Sequence, residues 1–534
     1  MRLSIVLLLI VAFVFCSQTN ASIFGNNEEF PLTVSSRSGA YQGILIDEAR
    51  AFLGVPYAKP PTGSLRFKPP VSKPYSFGVQ VAASNPKSCW QSGATAANSV
   101  NYSEDCLYLN VFTPKYKQRT QGLIFSDLPV LVFIHGGRYW TGSAADFAGD
   151  KMASVGNAVV VVIQYRLNIF GFQPYDSNTN LGLLDQQMAL RWVQDNIRAF
   201  GGDANKVTIF GESAGGSSVL YHLLQPTSYN LYDRAVLESA WQWVIPTVET
   251  ARVKSNDYLV KKNCNRTKAD GSQDLNAILT CLQSLDALTL TPTTGQSDFF
   301  LPMVDGKFIT QLPLKSIKQR QFNQNAQVII GHNYDEGNFM AYSRLGFKKI
   351  NETVSDATYY SSLTKYLNVY FTPDQTQTII NLYEPVRAAQ GNWMAGSEFF
   401  GDYYITCGSI LAAQYFNAYN VDFKTYIFNY SSPNYPASDW YLAASHGNEL
   451  AYVFFNPNIY TQYVFNPSDS LLGVRMNKAW TDFADSGNPI SPLSQWPTNY
   501  PSAMYYGPDV NNFGDSRPYL KDICESWRTY YEQF

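Results

Sequence analysis

The sequence lacks an excess of charge of either sign. It carries 39 lysines and arginines against 42 aspartates and glutamates in 534 residues, a net charge of -3. This balance provides no long-range attraction for nucleic acid or for an anionic membrane surface, so we expect a small-molecule partner. Internal repeats, low-complexity tracts and charge runs are also absent from the sequence. Since no linker-like segment divides it, we interpret residues 22–534 as a single domain.

Long hydrophobic runs are scarce. The first extends from Ile5 to Phe15, follows a basic residue at position 2 and is too short to span a bilayer. A basic start, a short apolar core and a polar exit are typical of a secretory signal peptide. We predict a signal peptide over residues 1–21, cleaved between positions 16 and 21, and no later membrane span. The mature protein is then expected outside the cell or in the lumen of an endomembrane vesicle.

Cysteines are few, and their number fits that compartment. The chain has seven, and loss of Cys16 with the signal leaves six. An even number allows full pairing in an oxidising environment, although arithmetic alone leaves many pairings open. The simplest set joins near neighbours first and consists of Cys89 with Cys106, Cys264 with Cys281, and Cys407 with Cys524.

Four Asn-X-Ser/Thr sequons follow the signal, at Asn101, Asn265, Asn351 and Asn429. In a lumenal chain such sequons accept glycans on exposed loops, so we predict a glycoprotein.

Apolar runs alternate with helical patterns along the chain. The runs that resemble buried strands are Val130–Ile134, Val159–Ile163, Val207–Phe210, Val328–Ile330 and Thr425–Phe428. The clearest helix has apolar residues on one face at three-and-four spacing, namely Leu184, Met188, Ala189, Trp192, Val193 and Ile197. Alternating strands and helices predict an α/β fold with a large, mostly parallel sheet flanked by helices. Ligands of such sheets bind at the carboxyl ends of the strands.

A serine between glycines follows one of these strands. Gly211-Glu212-Ser213-Ala214-Gly215 is a G-x-S-x-G pentapeptide that comes directly after Val207–Phe210. On a strand-turn-helix of this kind the serine adopts a strained backbone conformation and its hydroxyl projects above the sheet. An ordinary glycine-rich turn can have the same sequence, so the surrounding motifs decide. Ser213 is the candidate nucleophile.

Histidine is scarce as well, which limits the candidates for a general base. A serine hydroxyl is a weak nucleophile and needs a histidine within hydrogen-bond reach, usually oriented by a buried carboxylate. His135 precedes the nucleophile, His222 lies along the following helix facing away, and His332 directly precedes an acidic turn. The hydrolase order of nucleophile, acid and base leaves His446. The alternative is that His446 has no catalytic role and is either exposed to solvent or hydrogen-bonded within the core.

The acid should follow a central strand and precede His446. Asp335 and Glu336 both follow Val328–Ile330, and spacing does not separate them. The competing Asp305 is followed by glycine and indicates a turn.

Acyl transfer also requires N–H donors for the oxyanion. The amide of Ala214, directly after the nucleophile, supplies the first. The glycine-rich loop His135-Gly136-Gly137, which leaves the strand ending at Ile134, supplies the others.

Two long motifs resemble signatures of the type-B carboxylesterase and cholinesterase family. The stretch from Phe200 to Gly215 is similar to the family's serine signature, and that from Glu104 to Pro114 is similar to its second signature. Phe52 to Ala58 and Leu184 to Leu190 are further family-like stretches.

The resemblance implies an α/β-hydrolase fold, a Ser-Glu-His triad and hydrolysis of carboxylic esters through an acyl-enzyme, and we expect no metal or other cofactor. It favours Glu336 over Asp335 and supports the three disulfides. The residues that it assigns are the triad Ser213, Glu336 and His446, the oxyanion amides of Gly137, Arg138 and Ala214, and a further serine near the triad, Ser239.

One departure from the family pattern affects the oxyanion site. Arg138 stands where the family usually has the third glycine of a His-Gly-Gly-Gly loop. A backbone amide remains, but glycine permits close approach of the substrate, and an arginine side chain must point away or intrude.

Other departures concern substrate selection. The tryptophan of the cholinesterase choline site has its place near Ala96, whereas Trp90 lies beside Cys89. A choline-selective enzyme is therefore not expected, since the cation loses an aromatic face. Gln296 and Asp298 stand where acetylcholinesterases carry bulky aromatics, which predicts a broader acyl pocket.

Three functions are compatible with this sequence. The leading hypothesis is a secreted or vesicular serine esterase that is not choline-selective. The first alternative is a weak or inactive esterase-like protein with a binding or storage role, because Arg138 disables the oxyanion site. The second is a lipase of the same family, although nothing in the sequence identifies a lid.

Overall fold

A large mixed sheet forms the centre of the protein. The computed structural model describes residues 31–115, 119–120, 123–124, 127–293, 296, 299–345, 353–368, 371–434, 443–459, 464–489, 496–497, 500–507 and 522–533. Its strands are β1 Thr33–Ser36, β2 Gly39–Gln42, β3 Ile44–Ile46, β4 Ala49–Pro56, β5 Ser76–Val81, β6 Ser88–Cys89, β7 Tyr102–Ser103, β8 Tyr108–Pro114, β9 Arg119–Thr120, β10 Leu123–Ile124, β11 Leu128–Ile134, β12 Val159–Ile163, β13 Gly202–Glu212, β14 Arg234–Glu238, β15 Gln327–Asn333, β16 Phe423–Phe428 and β17 Met504–Tyr506.

The main sheet contains ten of these strands in the order β17-β16-β15-β14-β13-β11-β12-β8-β4-β3. Neighbours from β17 to β12 pair in parallel, and β8, β4 and β3 continue the sheet in antiparallel fashion. The strands β1, β2 and β5 form a separate small sheet. This architecture confirms the predicted α/β fold with a large, mostly parallel sheet.

The middle segments of the central strands are continuous apolar runs because helices cover both faces of the sheet. All five residues of β12 are fully buried. Side chains alternate between the faces, so that Val159 and Val161 join one hydrophobic cluster while Val160 and Val162 join the other. A continuous apolar run, rather than alternation of apolar and polar residues, is therefore the sequence pattern of these strands.

Helices pack on both faces of the sheet. The α-helices cover Asp150–Gly156, Asn168–Phe172, Leu181–Asn196, Ala214–Leu224, Val248–Lys254, Asn256–Lys261, Leu275–Ser284, Ala287–Leu290, Pro313–Lys318, Asn338–Leu345, Asp356–Leu367, Pro373–Leu382, Glu384–Gly401, Cys407–Ala418, Leu450–Val453, Pro467–Ser486 and Asp522–Gln533. A π-helical turn over Asp402–Thr406 joins two of them. Among the described residues, no helix combines the length and the hydropathy needed to cross a membrane.

All three predicted disulfides are present, joining Cys89 to Cys106, Cys264 to Cys281 and Cys407 to Cys524. The last of these attaches the C-terminal helix Asp522–Gln533 to the helix Cys407–Ala418.

The predicted glycosylation sites differ in their surroundings. Asn101 and Asn265 are exposed, as a glycan acceptor requires, whereas the Asn429 side chain is half-buried and donates a hydrogen bond to the hydroxyl of Tyr505. Asn351 and the predicted signal peptide lie outside the described residues.

Candidate active site

Ser213 lies on a sharp turn between β13 and the helix Ala214–Leu224. Its backbone has φ 59° and ψ -122°, a region that L-residues rarely adopt. The flanking glycines are required because the chain is crowded there. A Cβ atom on Gly215 would lie 1.8 Å from the carbonyl oxygen of Ile134, and one on Gly211 would lie 2.6 Å from the same oxygen. The turn therefore presents the serine at the carboxyl end of a central strand.

Three side chains far apart in sequence converge at this turn. The Nε2 atom of His446 lies 2.8 Å from Ser213 Oγ, and its Nδ1 atom lies 2.6 Å from an oxygen of Glu336. All three residues follow strands of the parallel part of the main sheet, Ser213 after β13, Glu336 after β15 and His446 after β16. The arrangement gives a hydroxyl, an imidazole and a carboxylate in hydrogen-bonding sequence.

The two acid candidates have different positions. Glu336 accepts hydrogen bonds from the Ser239 hydroxyl at 2.5 Å and from the backbone N–H of Asn333 at 2.7 Å, in addition to its contact with His446. The backbone N–H of Asp335 instead donates a hydrogen bond to the carbonyl of Ala444. That bond holds the loop of the acid against the loop of the histidine.

Asn333 also connects these two loops. Its side-chain amide donates to the backbone carbonyl of Ser445 at 2.7 Å and to a carboxylate oxygen of Glu449. The amide thereby fixes the segment that precedes His446. No pattern in the sequence identified this residue, because its role depends on the loop that it meets.

The other three histidines are buried. The His222 ring contacts the Ser228 hydroxyl at 2.9 Å and the Gln186 side chain at 3.1 Å, and burial lowers its pKa to about 3. His135 stacks on Tyr165, and burial lowers its pKa to about 4. His332 contacts the backbone carbonyl of Asn333 through Nδ1.

The loop after β11 carries three consecutive residues with positive φ: Gly137 at 94°, Arg138 at 58° and Tyr139 at 60°. A Cβ atom on Gly137 would meet the carbonyl oxygen of Thr141 at 2.2 Å, so this position requires glycine. The Arg138 guanidinium stacks over the Trp140 ring, 3.9 Å from its centroid, and lies 5.0 Å from that of Trp241. The arginine side chain is thus directed to two indole rings.

Three further buried carboxyl groups surround the triad. Glu212 lies 3.2 Å from His446 Nε2, Glu238 accepts a hydrogen bond from the indole N–H of Trp480, and Glu449 accepts one from Asn333. Burial raises the pKa of all three, to about 7 for Glu212 and about 8 for Glu238. Glu212 occupies the second position of the pentapeptide, but its part in the site follows from the direction of its side chain, which the motif does not specify.

The carboxylates determine the protonation of the candidate base. Burial lowers the pKa of His446, but the charges of Glu212 and Glu336 and the hydrogen bond that the ring donates to Glu336 outweigh it and raise the pKa to about 9. The imidazolium is therefore favoured in the resting protein, and loss of its proton precedes any role as a base.

The residues expected to shape substrate selection are only partly described. Gln296 is buried, with its side-chain oxygen accepting from Thr293, while Asp298 lies outside the described residues. Trp90 packs against Tyr102, with ring centroids 5.7 Å apart. Within the described part of the chain, no group of three or more His, Cys, Asp or Glu is placed to hold a metal ion.

Comparison with known proteins identifies the family of the chain. The sequence profile of the Carboxylesterase family matches residues 32–510. The cholinesterase of Mus musculus is 31% identical over 553 aligned residues, covering 95% of this chain and 88% of the mouse protein. The acetylcholinesterase of Bungarus fasciatus is 29% identical over 538 residues, covering 93% of this chain and 86% of the snake protein. The chain therefore belongs to the carboxylesterase family.

Proposed function

We propose that this protein is a serine esterase that hydrolyses small carboxylic esters through an acyl-enzyme. The observation that carries the proposal is the pair of contacts at His446, 2.8 Å to Ser213 Oγ and 2.6 Å to Glu336. A base must lie within hydrogen-bond distance of the proton that it removes, and a third group must orient it.

The reaction proceeds in two halves. Ser213 Oγ attacks the ester carbonyl carbon while its proton passes to His446 Nε2, and Glu336 stabilises the imidazolium. The backbone amides of Gly137, Arg138 and Ala214 bind the oxyanion. Nε2 then returns its proton to the departing alcohol, which leaves the acyl group on Oγ. Water, activated by the same imidazole, releases the acid and restores the serine.

Two finer features belong to the proposal. The enzyme is not choline-selective, since no tryptophan stands at the place of the choline-site ring near Ala96. It acts outside the cell or in the lumen of a vesicle, a location supported by three disulfides, which persist in oxidising compartments.

An inactive binding or storage protein is the main alternative, because Arg138 replaces a glycine of the oxyanion loop. The contact of its guanidinium with Trp140 supports the esterase instead, because the side chain packs against this indole ring beside the loop. A lipase would differ by activation at an oil-water interface, and no observation favours it.

Labelling with an organophosphate tests the proposal. We expect one covalent adduct, located by mass spectrometry on the peptide that contains Ser213, together with hydrolysis of a chromogenic ester series from acetate to palmitate. Both should vanish in Ser213→Ala and persist in Ser284→Ala, which alters an exposed serine. Wild-type protein that neither reacts with the organophosphate nor cleaves any ester of the series would refute the esterase.

A further inference from the structure

We propose that two copies of this protein associate through the edge strand β5, which pairs in antiparallel fashion with the same strand of the second copy about a twofold axis. The inference goes beyond the proposed esterase and does not depend on it. It concerns the small sheet β1-β2-β5, in which β5 is an outer strand. Within the described residues β5 pairs with β2 on one side, so its other side is open to a further strand.

The strand is both exposed and apolar. Every residue from Phe77 to Val81 is exposed to solvent. Phe77, Val79 and Val81 are 87%, 56% and 76% exposed, and Tyr75, just before the strand, is 51% exposed. The rings of Tyr75 and Phe77 contact each other edge to face, with centroids 5.2 Å apart. Contiguous exposed apolar side chains of this kind mark interaction surfaces, whereas single ones are normal on any protein.

The backbone of the strand specifies the kind of partner. Ala82, directly after the strand, donates its N–H to the carbonyl of Gln42 in β2. Successive residues of a strand direct their backbone groups to opposite sides. Gln80 therefore also faces β2, whereas Val79 and Val81 direct their N–H and C=O groups away from it. A sheet edge with such outward donors and acceptors binds an extended segment as an additional strand.

A second copy of β5 fits this edge in one register. With Gln80 on the twofold axis, Val79 lies opposite Val81 of the second copy. The symmetry places two such pairs side by side, and each pair exchanges two hydrogen bonds. The valines lie on the same face of the sheet, so that each packs against a valine of the other copy. A contact of this symmetry closes on itself and gives a dimer, not a fibre.

The usual protection of an edge strand against pairing is missing from this segment. Monomeric proteins place charged side chains or proline on such edges. Residues 74–86 contain no lysine, arginine, aspartate or glutamate, and β5 contains no proline. A register shift in the pairing with β2 places an irregularity before Val79, which limits the open ladder to the segment from Val79 to Val81. No like charges within that segment oppose the approach of a second copy.

The size of the contact determines its strength. A standard interface buries about 800 Å² on each partner, which is more than the edge of one short strand offers. We therefore expect a reversible dimer with a Kd of roughly 10–100 µM.

Sedimentation equilibrium from roughly 2 to 300 µM protein tests the association across that range. Val81→Lys places a charge beside the apolar pair, and Val81→Pro removes an outward N–H while leaving the bonds to β2 intact. Val253→Lys is the matched control, because Val253 is a 67% exposed valine on the helix Val248–Lys254. Thermal unfolding at the lowest concentration checks that each variant is folded.

We expect the average mass of the wild type and of Val253→Lys to rise toward twice the monomer mass. Both Val81 variants should remain monomeric at every concentration. A monomeric wild type, or a dimer that persists unchanged in both Val81 variants, would overturn the inference.

A cysteine on the axis tests the register directly. Opposite residues that do not exchange hydrogen bonds have Cα atoms about 4.5 Å apart, which is within the range of a disulfide. The six cysteines of the described residues are all paired, so Gln80→Cys adds the one free thiol among them. Mild oxidation should convert Gln80→Cys, but not Val253→Cys, to a covalent dimer on a non-reducing gel. Equal crosslinking of the two variants would contradict the register.

A lipid surface is the other occupant that the apolar side chains could bind. Sedimentation with phosphatidylcholine vesicles separates the two, since wild-type protein that stays monomeric and sediments with the vesicles would overturn the dimer. Failure of the dimer leaves the proposed esterase intact, because labelling of Ser213 by an organophosphate requires no association.

Discussion

His446 is contacted by carboxylates at both ring nitrogens, Glu336 at Nδ1 and Glu212 at Nε2. Their charges raise the pKa of the imidazole to about 9 against the opposing effect of burial. Since only the neutral imidazole accepts the serine proton, kcat/KM should rise with pH through this pKa and fall as pH is lowered. Glu212→Gln removes one negative charge and should move the rise to lower pH by roughly one unit or more. The pH profile of kcat/KM measures the shift.

A matched control for this change is Glu249→Gln, because Glu249 is 77% exposed and lies in a helix away from the triad. Its profile should coincide with that of the wild type. A Glu212→Gln profile displaced to higher pH, or not displaced, would contradict the electrostatic assignment of Glu212.

Ser239 contacts the candidate acid rather than the candidate nucleophile. Its fully buried hydroxyl donates to Glu336 at 2.5 Å, on the carboxylate oxygen that does not face His446. Ser239→Ala leaves that oxygen with one donor fewer, so the carboxylate is less well oriented. We expect kcat to fall roughly tenfold with KM nearly unchanged, as steady-state kinetics on a neutral ester would measure.

Ser409→Ala controls for the loss of a buried hydroxyl as such. Ser409 is fully buried, and within the described residues its hydroxyl makes no hydrogen bond. Equal losses of kcat in both variants, or a loss confined to KM in Ser239→Ala, would show that Ser239 acts through the fold alone.

At the residue level, the sequence allowed a prediction where order along the chain or a motif limited the choice. Elimination among four histidines singled out His446, and the structure places it against Ser213. The choice of Glu336 over Asp335 needed the family resemblance, because neighbouring residues differ in orientation and not in spacing. The contacts of Glu212, Asn333 and the Arg138 guanidinium could not be predicted, since each depends on a loop that meets it from a distant part of the chain.

At the scale of elements, the turn after β13 depends on glycines that permit close packing. A Cβ atom on Gly215 would lie 1.8 Å from the carbonyl oxygen of Ile134, the residue that ends β11. Gly215→Ala must therefore push the helix Ala214–Leu224 away from the sheet and displace Ser213. We expect a loss of about 3 kcal/mol or more in the free energy of unfolding and loss of esterase activity, measured by denaturant titration and ester hydrolysis.

Gly271→Ala separates this crowding from backbone strain. Gly271 has φ 82°, and a Cβ atom there would meet nothing within 4 Å. The Gly271→Ala substitution should cost only the strain of the left-handed backbone conformation, about 1–2 kcal/mol in the free energy of unfolding. Esterase activity should be retained. If Gly215→Ala behaved like Gly271→Ala in both measurements, close packing would not be what the pentapeptide requires.

The sequence predicted the central strands more accurately than their ends. The run Val159–Ile163 coincides with β12, because a strand buried on both faces is apolar over its whole length. By contrast, β13 begins at Gly202, five residues before the apolar run Val207–Phe210, since pairing with β11 extends across an irregularity near Leu128. Pairing of this kind depends on the neighbouring strand, so the first residues of β13 show no apolar pattern in the sequence.

At the scale of the whole molecule, the C-terminal helix packs against a turn that lies beside the candidate active site. Trp527 and Tyr531 of that helix are fully buried, and the Tyr531 hydroxyl donates to the backbone carbonyls of Asp402 and Tyr403 in the π-helical turn. The next residue of that turn, Tyr404, stacks on Trp241 beside His446. The position of the helix is thereby connected to the triad through one turn and one indole.

The disulfide between Cys407 and Cys524 should consequently matter more than that between Cys264 and Cys281. The first closes a sequence separation of 117 residues and the second one of 17. Longer loops lose more unfolded-state entropy on closure, so replacing the first pair by alanine should cost about 2 kcal/mol more than replacing the second. It should also release the C-terminal helix on heating and abolish activity at a lower temperature than in the other variant. Parallel thermal unfolding and residual-activity curves of the two double alanine variants measure this, and coincident curves would refute a special role for the C-terminal crosslink.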